Sequence, residues 1–563
     1  MTTTDAHPQP WLHHYPEGID WSTPLTRRAL NEYIDDAEIR FADRPAIDFL
    51  GRKTTYAQLA THIRQAAKGF QGMGVTKGSR VGLCLPNTPY SVICYFGALR
   101  AGATVVNYNP LYVERELAFQ ISDSETEIMV TMDLKLLYPK VAAMLSQTES
   151  LKQIVVCRMS PILPPVKGLL FGIVKRKEIA AVTDDETTMR FEDLINNDGQ
   201  PEAVEIDIEQ DIAVLQYTGG TTGRSKGAML TQANLSANIS QMLSWFPGLR
   251  PGEEKIVGVL PLFHVFAMTA VMNFAVASGT EMILLPRYEL EQTLKILSAK
   301  KATLFPAVPT IYTAINQAPG LAKYDLSSIR YCMSGGAPLP LEVKRQFEQF
   351  TGCKLVEGYG LSESSPVATC NAMTGTNKEN SIGLPVPGTD ITIHDLEAPH
   401  DLVPVGERGE VWIKGPQIMK GYLNQAEETK DTLRDGWLRT GDVGYMDEEG
   451  HFFLVDRLKD LILCSGYNVY PRMVEEAIYL HSAVSEVTVI GIKDDYRGES
   501  PKAFVKLKPG ESLTGKDLQK FLEDKLSKIE MPSHIEFRDE LPKTIIGKLS
   551  KKELVAEEQA QQA

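Results

Sequence analysis

Strand-like and helix-like segments alternate along the first part of this chain, and this alternation constrains the fold more than any other feature. Residues 54–70 (TTYAQLATHIRQAAKGF) place their apolar side chains on one helical face, and Thr55 with Gln58 forms a capping box. The segments that follow are strand-like at 81–85, 104–109, 127–132 and 154–157, and helical at 89–101 and 113–122. We therefore expect parallel sheets covered on both faces, with ligands beyond the carboxyl ends of the strands.

The pattern changes after about residue 380, where short strands and turns predict a small β-rich subdomain. These strands are ITIHD (391–395), GEVWIKG (409–415) and HFFLVDR (451–457). Beyond them, strand-like EVTVIGI (486–492) and AFVKLK (503–508) are expected around a helix at 514–528, with Leu518, Phe521, Leu522 and Leu526 on one face. This last part predicts a separate α+β domain, with the boundary in DRLKD (456–460).

The bulk composition bounds the class of protein. A chain of 563 residues is too long for one core, and 43% hydrophobic with 23% charged residues is typical of a globular protein. A net charge of −14 argues against broad binding to nucleic acid, which needs a basic surface. The seven cysteines form no C-x-x-C pair, and the start of the chain has no signal-peptide pattern. These features predict reduced thiols and a cytoplasmic protein.

Two apolar stretches bear on membrane contact. Residues 256–280 lack Asp, Glu, Lys and Arg, but Pro261, His264 and Asn273 interrupt them. We expect a buried strand, a turn at PLFH and a buried helix there. Residues 160–177 (SPILPPVKGLLFGIVKRK) are proline-rich, then apolar, then basic, and are too short to span a bilayer. Two interpretations of this segment stay open: contact with a membrane surface, and a packed insertion.

The glycine-rich loop YTGGTTGRSKG (217–227) follows a strand-like run and predicts a phosphate-binding turn. Backbone N–H groups, several hydroxyls and Lys226 together suit phosphate oxygens. The loop is not a Walker motif, because Ser225 stands where the second glycine is needed and the next helix starts only near Thr231. It does not fit a dinucleotide fingerprint either. The loop predicts a nucleotide without naming the reaction.

Six further motifs follow or accompany this loop in order. They are LPLFHVF (260–266), SGGAPLP (334–340), EGYGLSES (357–364), DGWLRTGD (435–442), VDRLKD (455–460) and PKTIIGK (542–548). With the loop, they resemble the acyl-adenylate-forming (AMP-binding) superfamily, from about residue 30 to residue 552. Within it, the chain looks most like bacterial long-chain fatty-acid–CoA ligases. Arg439 stands where the fatty acyl-CoA synthetase signature commonly has His, which leaves the acyl class open.

The resemblance implies an α/β fold with a large N-terminal domain of two αβαβα-type sheet subdomains and a small β-barrel-like subdomain, plus a mobile C-terminal α+β domain. The implied division is 1–456 for the domain that binds AMP and the acyl chain, 457–460 for the hinge and 461–563 for the mobile domain. The implied reaction joins a medium- or long-chain fatty acid to ATP as acyl-AMP, releases pyrophosphate, and then forms a thioester with coenzyme A.

The resemblance also implies roles for individual residues. The implied catalytic residues are Lys548, Glu363, His264 and Arg457. The implied nucleotide-binding residues are Thr218, Gly219, Gly220, Thr221, Thr222, Gly223, Lys226, Gly335, Gly336, Ala337, Glu357, Gly358, Tyr359, Gly360, Asp442, Arg457 and Lys459.

Thr218 and Glu363 are the implied Mg²⁺ ligands, and ATP, Mg²⁺ and coenzyme A are the implied cofactors. Tyr359 would stack on adenine, Asp442 would accept the ribose hydroxyls, and Lys548 would bridge the fatty carboxylate and the α-phosphate. His264 would border the acyl carboxylate and the path for coenzyme A.

Several alternatives stay open from the sequence. A ligase that stops at acyl-AMP and another carboxylate–CoA ligase are alternatives within the enzyme class, and luciferase-like oxidation is a remote one. A non-catalytic acyl- or nucleotide-binding protein for uptake or regulation is an alternative outside it. Peripheral contact with the inner face of the membrane and a homodimer also stay open.

Overall fold

The computed structural model describes residues 9–183, 185–218, 225–375, 377–465, 467–494, 496–544 and 547–562. Its described α-helices are α1 (Leu30–Phe41), α2 (Tyr56–Gly72), α3 (Pro89–Arg100), α4 (Glu114–Ser124), α5 (Tyr138–Gln147), α6 (Pro165–Val174), α7 (Phe191–Leu194), α8 (Gln232–Trp245), α9 (Val265–Ala267), α10 (Phe274–Ser278), α11 (Leu290–Lys300), α12 (Pro309–Asn316), α13 (Leu341–Thr351), α14 (Ala426–Thr432), α15 (Pro471–Tyr479), α16 (Gly515–Leu522) and α17 (Lys551–Gln562).

The described strands are β1 (Pro45–Phe49), β2 (Arg52–Thr55), β3 (Arg80–Leu83), β4 (Thr104–Asn107), β5 (Ile128–Met132), β6 (Gln153–Cys157), β7 (Thr188–Arg190), β8 (Ile212–Thr218), β9 (Lys226–Thr231), β10 (Lys255–Gly258), β11 (Glu281–Leu284), β12 (Leu304–Ala307), β13 (Tyr331–Ser334), β14 (Leu355–Gly360), β15 (Val367–Cys370), β16 (Leu384–Pro385), β17 (Asp390–His394), β18 (Gly409–Lys414), β19 (Gly421–Tyr422), β20 (Leu433–Arg434), β21 (Trp437–Met446), β22 (Phe452–Arg457), β23 (Ile462–Cys464), β24 (Tyr467–Val469), β25 (Val484–Asp494), β26 (Gly498–Leu507) and β27 (His534–Phe537).

Two large sheets form the first part of the molecule. One has the strand order β16-β15-β14-β13-β12-β10-β11-β1-β2, and the other has the order β19-β9-β8-β4-β3-β5-β6-β7. Their central strands are parallel, and every residue of β4 and β5 is buried. Full burial is typical of parallel strands covered by helices on both faces. The alternating pattern therefore predicted this architecture correctly.

The apolar stretch at 256–280 folds as expected. It enters as strand β10, turns at 259–264 and continues through α9, a π-helical segment and α10, all of them buried. The capping box of Thr55 and Gln58 at the start of α2 is also confirmed. None of the described helices combines the length and apolarity that crossing a lipid bilayer requires.

The third sheet is the predicted small β subdomain. It is antiparallel, with the order β17-β18-β21-β20 and with β22 paired to β21. Among the described residues no ladder joins β17 to β22, so this subdomain is an open sheet and not a closed barrel.

The fourth sheet, β24-β23-β26-β25 with β27 beside β26, draws its strands from residues 462 to 537 and has its own apolar core. Two local expectations about this part need correction. β25 and β26 pair directly as a hairpin, so no helix lies between them in the chain. Helix α16 ends at Leu522 and not at Lys528; Leu518 and Leu522 are fully buried, whereas Phe521 and Leu526 are partly buried against the same core.

Candidate active site

The predicted site residues meet where the first, third and fourth sheets approach one another. Gly335, Gly336 and Ala337 follow the carboxyl end of β13; Glu357, Gly358, Tyr359 and Gly360 lie in the neighbouring parallel strand β14, and Glu363 lies in the turn after it. Asp442 and Arg457 come from β21 and β22, and Lys548 comes from beyond the fourth sheet. Residues more than 200 positions apart are thereby brought to the carboxyl edge of one sheet.

The glycine-rich loop connects two antiparallel strands. Thr218 ends β8 and Lys226 begins β9, and the two residues are partners in the ladder. Gly219, Gly220, Thr221, Thr222 and Gly223 lie outside the described residues. Helix α8 starts after Thr231, whose hydroxyl accepts from the N–H of Asn234 at 3.1 Å. A strand hairpin here excludes a Walker turn, in which the lysine opens a helix.

Lys226 is held by contacts that the sequence did not reveal. Its ammonium pairs with the carboxylate of Glu428 in α14 and lies 5.2 Å from the ring centroid of Tyr422. Tyr422 belongs to β19, which pairs with β9 next to Lys226. The cation predicted for phosphate therefore has a carboxylate partner in this structure.

Glu363 lies beside the same tyrosine. Its Oε1 accepts the Tyr422 hydroxyl at 2.7 Å, a neutral donor that leaves the carboxylate charge uncompensated at that contact. Carboxylate and hydroxyl oxygens are the hard donors that Mg²⁺ takes, and Mg²⁺ commonly completes its shell with waters and substrate phosphates. Glu363 and Thr218 fit that chemistry. The described residues contain no cluster of three or more His, Cys, Asp or Glu that would hold a metal without a substrate.

Asp442 lies at the centre of a hydrogen-bonded group. Its Oδ2 accepts the Tyr359 hydroxyl at 2.6 Å, and its Oδ1 lies 3.1 Å from Nε of Arg457. The negative charge of Asp442 raises the pKa of Arg457, while burial and Asp442 raise the pKa of Tyr359. Tyr359 is thus a neutral donor and Arg457 a permanent cation, both aimed at a carboxylate predicted to accept ribose hydroxyls.

Glu410 of β18 fixes the turn that carries Asp442. Its two carboxylate oxygens accept from the backbone N–H of Gly441 at 3.2 Å, from Arg439 at 2.9 Å and from the Trp412 indole at 3.0 Å. Arg439 therefore packs inside the β subdomain against Glu410. Its guanidinium also lies 5.6 Å from the ring centroid of Trp412.

Lys548 reaches into the site against a glycine. A Cβ placed on Gly336 would lie 2.8 Å from Cε of Lys548, and Gly336 has φ of +83°, which side chains rarely adopt. Burial and the nearby charge of Arg457 lower the pKa of Lys548 to about 8. The turn that carries Lys548 is held by Thr310, whose hydroxyl donates to the carbonyl of Gly547 at 2.7 Å. Thr310 lies in α12 of the large domain and was missed by the sequence analysis.

His264 is the N-cap of α9, where its Nδ1 accepts from the N–H of Phe266 at 3.3 Å. Burial, and then the positive charge of Lys548, lower the pKa of His264 to about 3. The imidazole is therefore neutral near pH 7. The ammonium of Lys548 is thus close enough to His264 to influence its pKa.

Glu357 and Lys459 lie at the margins of this group. Burial raises the pKa of Glu357 to about 7, opposed by the charge of Arg472 at the start of α15. Burial and the neighbouring charge of Arg457 lower the pKa of Lys459, which lies in the turn Leu458–Asp460 between the third and fourth sheets. Glu357 faces the small domain, so its predicted contact with a nucleotide stays a prediction.

The contacts missed from the sequence share one property. Thr310, Glu410, Tyr422 and Glu428 are ordinary polar residues in unremarkable local patterns. Only their distant partners give them a role. Glu428 lies 202 positions after Lys226, so no local pattern in the sequence could have linked the two.

Comparisons with known proteins identify the family. The model of the AMP-binding enzyme family matches residues 35–423, and that of the AMP-binding enzyme C-terminal domain matches residues 473–548. The chain therefore belongs to the AMP-binding enzyme family. A long-chain-fatty-acid–CoA ligase of Bacillus subtilis (strain 168) is 46% identical over 553 residues, with 98% of each chain covered. One of Yersinia pestis is 38% identical, with 97% of this chain and 98% of that one covered.

Solved structures show the same fold. The anthranilate CoA ligase AuaEII in complex with anthranoyl-AMP superposes with a TM-score of 0.86 at 25% identity, covering 97% of this chain and 100% of that one. ATP-bound MatB from Rhodopseudomonas palustris superposes with a TM-score of 0.78 at 27% identity, covering 94% and 98%. The expected fold of a large and a small domain is thereby confirmed.

Proposed function

We propose that this enzyme activates medium- and long-chain fatty acids with ATP, releases pyrophosphate, and transfers the acyl group from AMP to coenzyme A. One observation carries the proposal: Lys548 lies against Gly336 and beside His264, in one site with Asp442 and Arg457. The similarity to long-chain-fatty-acid–CoA ligases over nearly the whole chain supports the substrate class.

The chemistry explains the arrangement. A carboxylate must attack the α-phosphorus of ATP, and the two anions repel each other. Lys548 and Arg457 would offset that charge, and a buried cation is most effective where negative charge develops in the transition state. Lys548 is partly buried, so its charge would interact more strongly than it would on the open surface, whereas Arg457 keeps about half of its side chain exposed.

The remaining residues would hold the nucleotide. Asp442 would accept ribose hydroxyls, Tyr359 would pack against adenine, and the backbone of 335–337 and 357–360 would border both. Lys226 and the loop at 219–223 would bind the β- and γ-phosphates once Lys226 leaves Glu428. Glu363 and Thr218 would hold Mg²⁺, which supplies Lewis-acid neutralisation of phosphate charge when bound.

We also propose that residues 457–460 are a hinge between a domain of residues 1–456 and a mobile domain of residues 461–563. In the described arrangement Lys548 lies against Gly336, and this would be the orientation for adenylate formation. Rotation about Lys459 would withdraw Lys548 and open a route for the thiol of coenzyme A past His264. Peripheral contact with the inner face of a membrane is part of this proposal, because long-chain acids partition into lipid. A homodimer stays a prediction that light scattering tests.

A pyrophosphate-release assay tests the function. Carboxylic acids of two to eighteen carbons are supplied with ATP and Mg²⁺, with and without coenzyme A. We expect dodecanoate or longer acids to have the highest kcat/KM and coenzyme A to be acylated. A tenfold preference for acetate or an aromatic acid would reject the substrate class. Release of pyrophosphate without thioester formation would instead identify an acyl-AMP ligase.

A further inference from the structure

Helix α6 presents an apolar face to solvent. Five side chains on that face, spaced by three or four residues along the helix, are between 51% and 71% exposed: Val166, Leu169, Leu170, Ile173 and Val174. Single exposed apolar residues are ordinary, but a contiguous apolar face of this kind marks an interaction site. No role in the proposed reaction accounts for it.

Contacts made by the rest of the segment fix the orientation of the helix, so that its apolar face points to solvent. The inner side of the helix packs on the preceding turn through Gly168, where an added Cβ would lie 2.5 Å from the carbonyl oxygen of Ser160. Lys167 donates to the carbonyl of Leu50 at 2.9 Å, and Arg52 donates to the carbonyl of Leu163 at 3.3 Å. Both contacts tie the N-terminal end of the segment to the β1–β2 hairpin, which gives the exposed face a defined orientation.

Basic residues border the apolar face. Lys175, Arg176 and Lys177 follow the helix directly, and with Lys167 they outnumber the single acid of this stretch, Glu178. Glu178 pairs with Lys175 at 2.6 Å, whereas Arg176 and Lys177 are exposed. In a chain of net charge −14, this is a local reversal of sign.

A second loop extends the same surface. The backbone N–H of Lys135 donates to the carbonyl of Glu178 at 2.8 Å, so this loop lies beside the end of the segment. The next residue, Leu136, is 65% exposed. The surface thus gains one more cation and one more apolar side chain.

We propose that this surface, comprising α6, residues 175–177 and Lys135–Leu136, docks onto a lipid bilayer that contains anionic headgroups. A short amphipathic helix that lies in the plane of the interface buries its apolar face among acyl chains, while its basic residues contact phosphates. A second copy of the chain fits less well, because a symmetric contact would set two basic borders against each other. The inference rests on the proposed function, since a bilayer is where long-chain acids accumulate.

Co-sedimentation with vesicles tests the surface. We expect the full-length protein to bind vesicles of three parts phosphatidylcholine and one part phosphatidylglycerol, and to bind pure phosphatidylcholine at least tenfold more weakly. Each basic residue near an anionic surface contributes about fivefold to partitioning. The double variant Arg176→Gln/Lys177→Gln should therefore bind about 25-fold more weakly. Leu169→Gln/Ile173→Gln should lose at least tenfold.

Matched variants control for charge and exposure. Ile39→Gln removes an apolar side chain that is 81% exposed on α1, and Lys516→Gln/Lys528→Gln removes two exposed charges from the fourth-sheet domain. Both should bind vesicles as the unmodified protein does. If the α6 variants also bind unchanged, or if the unmodified protein does not bind anionic vesicles, the docking surface is rejected. A dimer that Leu169→Gln/Ile173→Gln converts to monomer would likewise reject it and identify a subunit contact.

The two proposals fail in different ways. Thioester formation from decanoate, a soluble acid, is measured without vesicles for every variant. All α6 variants should stay within twofold of the unmodified enzyme, because the surface is remote from the reacting groups. Absence of activity with every acid would reject the ligase proposal. Vesicle binding would still test the docking surface, because that measurement does not depend on activity.

Discussion

The two halves of the site are held in different ways. The wall provided by the large domain is hydrogen-bonded throughout: Asp442 is fixed by Tyr359 and Arg457, and its turn is fixed by Glu410. Lys548 arrives instead on a turn of the small domain, which Thr310 contacts through one neutral hydrogen bond. Two further interdomain bonds join Gln317 to Ser485 at 3.1 Å and the backbone N–H of Arg472 to Oδ2 of Asp456 at 2.7 Å. Such bonds contribute about 1 kcal/mol each, so they can break without unfolding either domain.

This contrast suggests a division of labour. The preorganised wall would bind the nucleotide in the same way throughout the reaction. The separable lysine would act in one half-reaction only. Predictions that separate the half-reactions test the contrast directly.

Lys548→Ala should nearly abolish adenylate formation while sparing the second step. Removing a cation that acts in the transition state typically costs about 3–4 kcal/mol, or roughly a hundred- to thousandfold in rate. Thioester formation from supplied acyl-adenylate should stay within about threefold, because the proposed rotation would withdraw this residue. Lys459→Pro should show the reverse, since proline restricts the hinge. Stopped-flow measurement of each half-reaction checks both variants, with exposed Lys552→Ala as the control. Equal losses in both half-reactions would contradict the two-orientation scheme.

Glu363→Gln should raise the Mg²⁺ requirement and slow adenylation. Amide oxygen is a weaker ligand than carboxylate, and the effect should be at least the roughly 10- to 100-fold known for groups that only support a metal ligand. Titrating pyrophosphate release against Mg²⁺ measures it. Tyr422→Phe removes the hydrogen-bond donor to Glu363 but leaves the carboxylate. This variant therefore separates the effect of orienting Glu363 from the effect of its charge. If Glu363→Gln has the same Mg²⁺ dependence as the unmodified enzyme, Glu363 is not a Mg²⁺ ligand.

Adenylation should decline as pH rises through about 8. Lys548 is proposed to act as a cation. Burial and the charge of Arg457 lower its pKa to about 8, so the charge is present below that pH and lost above it. Because kcat/KM for ATP reports the free enzyme, it should fall about tenfold per pH unit on the alkaline side. Arginine stays protonated there, so Lys548→Arg should shift the decline to higher pH, whatever its maximal rate. An unshifted decline would assign the titration to another group.

Thr310→Val should weaken adenylation by about fivefold and leave thioester formation unchanged. The substitution removes one hydrogen bond, worth about 1 kcal/mol, that holds Gly547 and therefore Lys548 in place. Thr313→Val is a matched control on the same helix, because its hydroxyl donates within the helix to Pro309. A similar loss in both variants would indicate damage to α12 rather than release of Lys548.

Glu428→Gln should lower the KM for ATP by about two- to fivefold. The carboxylate that pairs with Lys226 competes with phosphate, and a partly exposed ion pair of this kind is worth less than about 1 kcal/mol. Glu427→Gln removes a neighbouring charge from the same helix and should change KM less. An increase in KM for Glu428→Gln would show that this residue supports nucleotide binding instead of opposing it.

The secondary structure that was predicted correctly from the sequence lies where local sequence patterns are clear. The strands around 104–107 and 128–132 and the capping box of Thr55 follow from short-range periodicity and hydrogen-bonding chemistry. The predicted helix at 514–528 was too long. Leu526 continues the apolar spacing of α16, although the helix ends at Leu522. Apolar spacing predicts which side chains are buried. It does not predict whether the backbone between them is helical.

Candidate site residues were recognisable for a different reason: short ordered motifs carried them, and the structure brings Gly336, Asp442, Arg457 and Lys548 together. Their partners were not recognisable. Nothing near Arg439 in the chain indicates that it pairs with Glu410, which lies 29 positions earlier. The exposed face of α6 was likewise undecided, since apolar residues at helical spacing are found on buried and unburied helices alike.

The sequence by itself determined the alternation of strands and helices, the family and the chemical types of the site residues, because these depend on neighbours in the chain. Tertiary structure alone decided that Lys226 is paired with Glu428, that Lys548 is inserted beside Gly336 and buried enough to lower its pKa, and that α6 faces outward. The physical reason is that burial and electrostatic environment depend on groups brought together across hundreds of residues.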